Sequence, residues 1–122
     1  MDPRYNEITE LVRTYLDGLY HCDTGLLAQA FHPEARYVSA TDNPLLHLDM
    51  PRYFEMVAAR VSPASKGEAR SGERIAGIRF GGPDLAFTHV QCAIRPKLFD
   101  DFLTLIHVQG RWQIISKVFH YE

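Results

Sequence analysis

Asp101-Phe102-Leu103-Thr104-Leu105-Ile106-His107-Val108-Gln109-Gly110-Arg111-Trp112-Gln113-Ile114-Ile115-Ser116-Lys117-Val118-Phe119-His120-Tyr121 reads as two β-rich runs broken by a turn. Strands over residues 99–109 and 112–121 flank Gly110-Arg111 and pair as an antiparallel hairpin. Side chains alternate along a strand, so an even loop decides which residues share a face. One face carries Trp112, Ile114, Ser116, Val118 and His120 with His107, Leu105, Leu103 and Asp101. The other carries Ile115, Lys117, Phe119 and Tyr121 with Val108, Ile106, Thr104 and Phe102. An odd-length loop or a bulge breaks this division.

Both faces are substantially apolar, whereas an antiparallel sheet with one wet face alternates cleanly. Both therefore need cover. Helices from the first half of the chain supply it on one side, and a second copy is the simplest cover on the other. The expectation is a homodimer through the outer sheet face, with Ile106, Val108, Ile115, Phe119 and Tyr121 in the contact and Lys117 at its rim.

Upstream, strands over residues 74–80 and 85–95 flank Gly81-Gly82-Pro83-Asp84, a second hairpin signal. The first half is helical. Ile8, Leu11, Val12, Tyr15, Leu16 and Leu19 fall on one face of a helix over about residues 3–20, opened by Asp2-Pro3. Asp23 or Thr24 caps a short second helix through Leu27 and Phe31, which Pro33 stops. A short strand over residues 36–40 leads to the turn cluster Thr41-Asp42-Asn43-Pro44. Asp49 and Pro51 open a third helix with Phe54, Val57, Ala58 and Val61 as its buried stripe. Residues 62–72, rich in Ser, Lys, Gly and Glu, read as a mobile surface loop. This is an α+β fold of one domain, residues 1–122, with three N-terminal helices on a mostly antiparallel sheet.

Composition narrows the function classes. An apolar share of 46% with 23% charged residues over 122 residues supports an ordinary core. A net charge of −2 argues against an electrostatic grip on nucleic acid. No apolar run approaches a membrane span, and the polar N-terminus lacks a secretory h-region, so a cytoplasmic location is expected. Cys22 and Cys92 lack metal or redox spacing and read as free thiols. His21, His32, His47, His89, His107 and His120 are scattered without ligand spacing, so no metal is expected. There is no Gly-rich phosphate loop and no nucleophile elbow.

The polar residues on the Trp112 face are the informative ones. Asp101 and His107 stand among Leu103, Leu105 and Ile114, where unpaired polar groups are costly. Two readings stay open: local hydrogen bonds satisfy them, or they line a cavity that holds water or ligand. Asp100 and Asp101 are adjacent on a strand and point to opposite faces, so they cannot act together on one substrate. Asp101 alone could serve as a general base if apolar surroundings raise its pKa, with His107 or Tyr15 as donor. Tyr37 and Tyr53 fall where they could line the open end of a pocket, and Trp112 is a packing anchor or a stacking platform.

The order of elements, with Tyr15-Leu16-Asp17-Gly18, Phe31-His32-Pro33-Glu34-Ala35, Asp101-Phe102-Leu103-Thr104-Leu105 and residues 110–119, resembles the nuclear-transport-factor-2-like superfamily. Within it the chain most resembles the family called putative lumazine-binding. The resemblance implies a strongly curved sheet forming a cone with an internal pocket, and a ligand of pteridine type. Enzymes of that superfamily work without metal or organic cofactor, through an Asp, His or Tyr in the cone. By chemical type, Tyr15, Asp101 and His107 are the counterparts, with Tyr15, Tyr37, Tyr53, Leu103 and Trp112 as ligand contacts. Three functions follow as expectations: a small-molecule-binding domain, a cofactor-free isomerase, dehydratase or cyclase, or a protein-interaction module. A fold shared by so many activities selects none of them.

Overall fold

A computed structural model describes residues 2–122. Among the described residues the elements run α1 (Arg4–His21), α2 (Thr24–Ala30), β1 (Phe31–Ser39), β2 (Leu46–Asp49), α3 (Met50–Ala58), β3 (Arg74–Phe80), β4 (Leu85–Ile94), β5 (Lys97–Val108) and β6 (Arg111–Tyr121). The strands form one sheet in the order β2-β1-β6-β5-β4-β3. Every pairing is antiparallel except β1 with β6. The sheet curls around the helices without closing. This is the α+β architecture expected from the sequence.

The helices start and stop for identifiable reasons. Asp23 and Asp49 cap α2 and α3, their carboxylates accepting from the amides of Leu26 and Arg52 at 3.1 Å each. α1 ends at Cys22, which takes the left-handed conformation at φ 48°. Gly18 does not weaken that end. A β-carbon there would lie 2.7 Å from the Leu27 side chain, so the missing side chain lets α2 pack onto α1.

Several boundaries differ from the sequence reading, among them the end of α3, which stops at Ala58 and leaves Val61 exposed beyond it. Phe31 is extended and begins β1 instead of finishing α2, because its ring packs between Tyr15 and Tyr53 in the core. Pro33 follows it in the unpaired stretch between the Phe31–Ile114 and Arg36–Ser116 pairs, where no ladder donor is needed. The short strand β2 went unread because Leu46-His47-Leu48-Asp49 has almost no length over which to alternate.

The larger correction concerns the last hairpin. Its turn is Gln109-Gly110, both at positive φ (52° and 81°), so Val108 pairs with Arg111 and His107 with Trp112. Leu105 then pairs with Ile114, but Thr104 pairs with Ser116. Ile115 is an extra residue: a β-bulge, which shifts the alternation of everything after it. Trp112 and Ile114 face the helices as read. Beyond the bulge Lys117 and Phe119 also face inward, and Ser116, Val118 and His120 face outward. Phe119 is 6% exposed and packs on Tyr37 at 4.7 Å between ring centroids. Phe119 and Tyr121, expected on the outer sheet face, therefore belong to the concave side. The outer face is carried instead by Phe87, Phe102, Ile106 and Val118, of which Phe102 and Val118 are about half exposed.

The segment expected to be a mobile loop is tied down. Tyr20 Oη donates to the Glu68 carbonyl at 2.5 Å, and Arg70 pairs with Asp17 and Glu73 at 2.7 and 2.8 Å. No described helix is long and apolar enough to cross a membrane.

Candidate functional site

The site is assembled by five elements that converge on one buried ion pair. Tyr15 lies on the inward stripe of α1, and Tyr53 on that of α3. Tyr37 comes from β1, Asp101 and Leu103 from β5, and Lys117 from β6. Asp101 and Tyr15 are fully buried, as are Tyr53 and Leu103, while Lys117 retains 4% exposure.

Tyr15 Oη donates to Asp101 Oδ2 at 2.5 Å. The Lys117 ammonium stands 3.9 Å from that same oxygen, too far for a good hydrogen bond but close enough for strong attraction in a dry interior. Around it the rings of Phe119, Tyr15, Tyr37 and Tyr53 have their centroids at 4.9, 5.1, 5.1 and 5.9 Å, an aromatic cage for a cation. Two polar atoms remain without partners: Asp101 Oδ1 and the Tyr53 hydroxyl. Each is the kind of group that structures normally satisfy, and leaving one bare costs roughly 1–3 kcal/mol.

Burial, the largest influence, opposes the charge on Lys117, but the Asp101 carboxylate together with Tyr53, Tyr37 and Cys92 outweighs it and holds the ammonium above its ordinary range. Burial, then the charge of Asp101, pushes the Tyr15 hydroxyl well up. Burial pushes Tyr53 up to about 12, with Lys117 pulling the other way. Cys92, on the inward face of β4, is raised to about 12 by burial and then by Asp101. At neutral pH the hydroxyls of Tyr15 and Tyr53 and the Cys92 thiol around the Asp101–Lys117 pair are neutral.

The sequence-predicted residues separate into two groups. Tyr15, Tyr37, Tyr53, Leu103 and Asp101 are brought together. His107 and Trp112 are not. His107 lies six residues from Asp101 along β5, about 20 Å at the usual rise. Its Nδ1 faces Asp84 at 3.3 Å and its ring packs on Trp112 at 5.1 Å. Trp112 borders a surface cleft of about 270 Å³ with Glu7, Glu10 and Arg111 at the opposite end of the sheet. Of the two donors expected for Asp101, Tyr15 is in place and His107 is not, and the second charged group beside the carboxylate is Lys117. Sequence reasoning missed Lys117 because strict alternation had turned it outward.

The interior is packed rather than open. Tyr37 and Tyr53 stack at 4.3 Å, and Phe31 joins Tyr53 to Tyr15 through edge contacts. The clefts at the Trp112 end, on the outer face and beneath residues 62–73 are not lined by Asp101, Lys117, Tyr15 or Tyr53. Among the described residues no three His, Cys, Asp or Glu side chains gather as a metal site would need.

The upward shifts fix a pH dependence. A group whose pKa is higher in the folded than in the unfolded chain contributes stability that is lost as pH rises through the folded value. Lys117, Tyr15, Tyr53 and Cys92 all shift this way. Stability should hold to about pH 9 and then fall steeply, since unfolded tyrosines ionise near pH 10. In an alkaline titration the tyrosinate absorbance of Tyr15 and Tyr53 should rise only together with loss of near-ultraviolet circular dichroism. Full tyrosine ionisation while that signal persists would show that the centre is open to water.

With the geometry described, known proteins can be compared. The family described as putative lumazine-binding matches residues 3–120. No curated protein matches in sequence. Among solved structures, an NTF2-like protein of unknown function from Shewanella baltica is 25% identical, with a TM-score of 0.84 over 98% of this chain and 94% of that one. Another from Silicibacter pomeroyi is 26% identical, with a TM-score of 0.79 over 98% and 96%. A ketosteroid isomerase-like protein from Erwinia carotovora atroseptica shares the fold at a TM-score of 0.77 over 99% and 98%, with 12% identity. The fold is NTF2-like, and the chain belongs to the putative lumazine-binding family.

Proposed function

We propose that the chain is a small-molecule-binding domain whose ligand seats against Asp101, Lys117 and Tyr53 at the centre of the cone. The observation that carries this reading is the pair of buried, unpartnered atoms, Asp101 Oδ1 and Tyr53 Oη, beside an ammonium whose nearest carboxylate oxygen is 3.9 Å away. A ligand that gives a donor to Asp101 and an acceptor to Lys117 recovers the cost of leaving them bare. Asp101 and Lys117 already balance in charge, so the ligand is neutral, because a further buried charge would stand unpaired. The aromatic walls favour a flat ring. A heterocycle with an N–H beside a carbonyl has these properties. Lumazine, the family's namesake and a pteridinedione, is such a molecule and is the probe to use. Titrating the protein into lumazine should give saturable fluorescence quenching, weakened about tenfold or more by Asp101→Asn and by Lys117→Met. Absence of quenching by folded wild-type protein would count against a ligand of this type.

A second reading, proton transfer, is favoured by the 2.5 Å contact between Tyr15 and Asp101. In it Asp101 takes a proton from a carbon acid, while Tyr15 and Lys117 stabilise the resulting enolate oxygen. Wild-type protein should then speed deuterium exchange into the α-carbon of cyclohexanone, and Asp101→Asn should abolish the acceleration. Equal rates with and without wild-type protein would remove this reading for simple ketones.

The outer sheet face, as re-read from the bulge, is proposed as the contact with a second copy. Phe87, Phe102, Ile106 and Val118 form its apolar centre, and the His89–Asp100 pair at 2.7 Å stands beside it. Sedimentation at micromolar concentration should give a dimer, which Phe102→Glu dissociates without unfolding the chain. A monomeric wild-type protein would overturn this proposal.

A further inference from the structure

The packed interior raises the question of how a molecule reaches it, and the segment between α3 and β3 supplies an answer. It crosses from α1 to β4. The Ala64 amide donates to the Tyr20 carbonyl at 3.1 Å, and the Ser71 carbonyl accepts from the Ala93 amide at 3.3 Å. Between these anchors Tyr20 Oη donates to the Glu68 carbonyl, and Arg70 reaches Asp17 while its guanidinium lies 4.9 Å from the Tyr20 ring centroid. Of residues 62–73 only Pro63 is buried. The segment is held down by polar contacts at the surface, not by apolar packing.

Two glycines bracket the part that carries these contacts. Gly67 and Gly72 have φ of 69° and 67°, and a β-carbon on Gly67 would meet nothing within 4 Å. Residues 68–71 thus form a short plate between two positions whose backbone turns readily. Beneath it is a cavity of about 20 Å³, room for one water, lined by Leu16, Leu19 and Cys92 among others. The cavity lies close to the polar centre. Cys92 is two residues from Val90, which pairs directly with Asp101, and Leu19 is one helical turn from Tyr15.

We infer that residues 68–71 are a strap that swings on Gly67 and Gly72, and that its release from Asp17 and Tyr20 opens a path past Cys92 to the Asp101–Lys117 centre. The strap as an entrance rests on the binding reading given above, whereas its opening does not. Segments held by few apolar contacts open locally at a cost far below that of global unfolding. Arg70 is the latch, since it alone joins the strap to α1 through a side-chain ion pair and a ring contact.

Cys92 reports on the strap directly. In a Cys22→Ser background, which removes the other thiol, labelling of Cys92 by Ellman's reagent measures how often the strap is open. Arg70→Ala should speed labelling about tenfold with unchanged stability to urea, while Arg13→Ala, which removes the α1 pair with Glu10, should leave the rate alone. An unchanged rate in Arg70→Ala, or an acceleration matched by lost global stability, would overturn the inference. Lumazine separates this result from the binding reading. Faster labelling of Cys92 with no lumazine quenching would leave the strap standing and reject that ligand.

Discussion

A charged pair taken out of water governs this fold. Asp101 and Lys117 come from neighbouring strands, and neither could be buried alone without a penalty of several kcal/mol. Each added layer shields or satisfies them. α1 supplies the Tyr15 hydroxyl, β1 and α3 supply the stacked Tyr37 and Tyr53, and Phe119 completes the cage from the strand that carries Lys117. Replacing such a pair by apolar residues is often stabilising in proteins, so stability alone does not account for its presence. A polar centre with two unmet hydrogen-bonding atoms fits recognition better than it fits packing.

Much of this was legible in the sequence because it depended on local rules. The inward stripe of α1, including Tyr15, follows from helical spacing, and the inward placement of Asp101 follows from counting back along β5 from its turn. Tyr37 and Tyr53, expected at the open end of a pocket, are instead buried and stacked beside Lys117, and Tyr53 takes the inward place on α3 that spacing had given to Phe54. The larger failure depended on one residue being out of step. The Ile114-Ile115 pair offers two equivalent apolar side chains, so nothing in the composition says which belongs to the ladder and which is the extra one. From that point Lys117 and Phe119 were assigned to the wrong side. His107 and Trp112 failed differently. They do lie on the inner side of their strands, but a strand of this length spans more than one site, and facing the same way did not bring them near Asp101.

The segment at residues 62–73 shows a similar limit. Composition correctly reported that it has little to bury. It could not report that a single arginine would find an aspartate more than fifty positions away and a tyrosine ring beside it. Polar surface contacts of this kind leave no periodic trace. They also hold weakly, which makes the same segment both orderly and easily released.

The bulge at Ile115 has a consequence for how sequences of this kind should be compared. In a strand, substitution alters one side chain, but loss or gain of a single paired residue reverses the parity of all that follow. Ile115 is the unpaired residue, so its removal would leave Leu105–Ile114 and Thr104–Ser116 as consecutive pairs with Lys117 and Phe119 still inward. An unbroken ladder that paired Ile115 with Thr104 would instead turn Lys117, Phe119 and Tyr121 outward and bring Ser116, Val118 and His120 beneath the helices. Asp101 would then lose its counter-charge with every neighbouring letter of the sequence intact. Two chains of this fold could agree at nearly every position of the last strand and still differ in the chemistry of the interior, because a gap at the bulged position 115 leaves the interior as it is whereas a gap at a paired position inverts it.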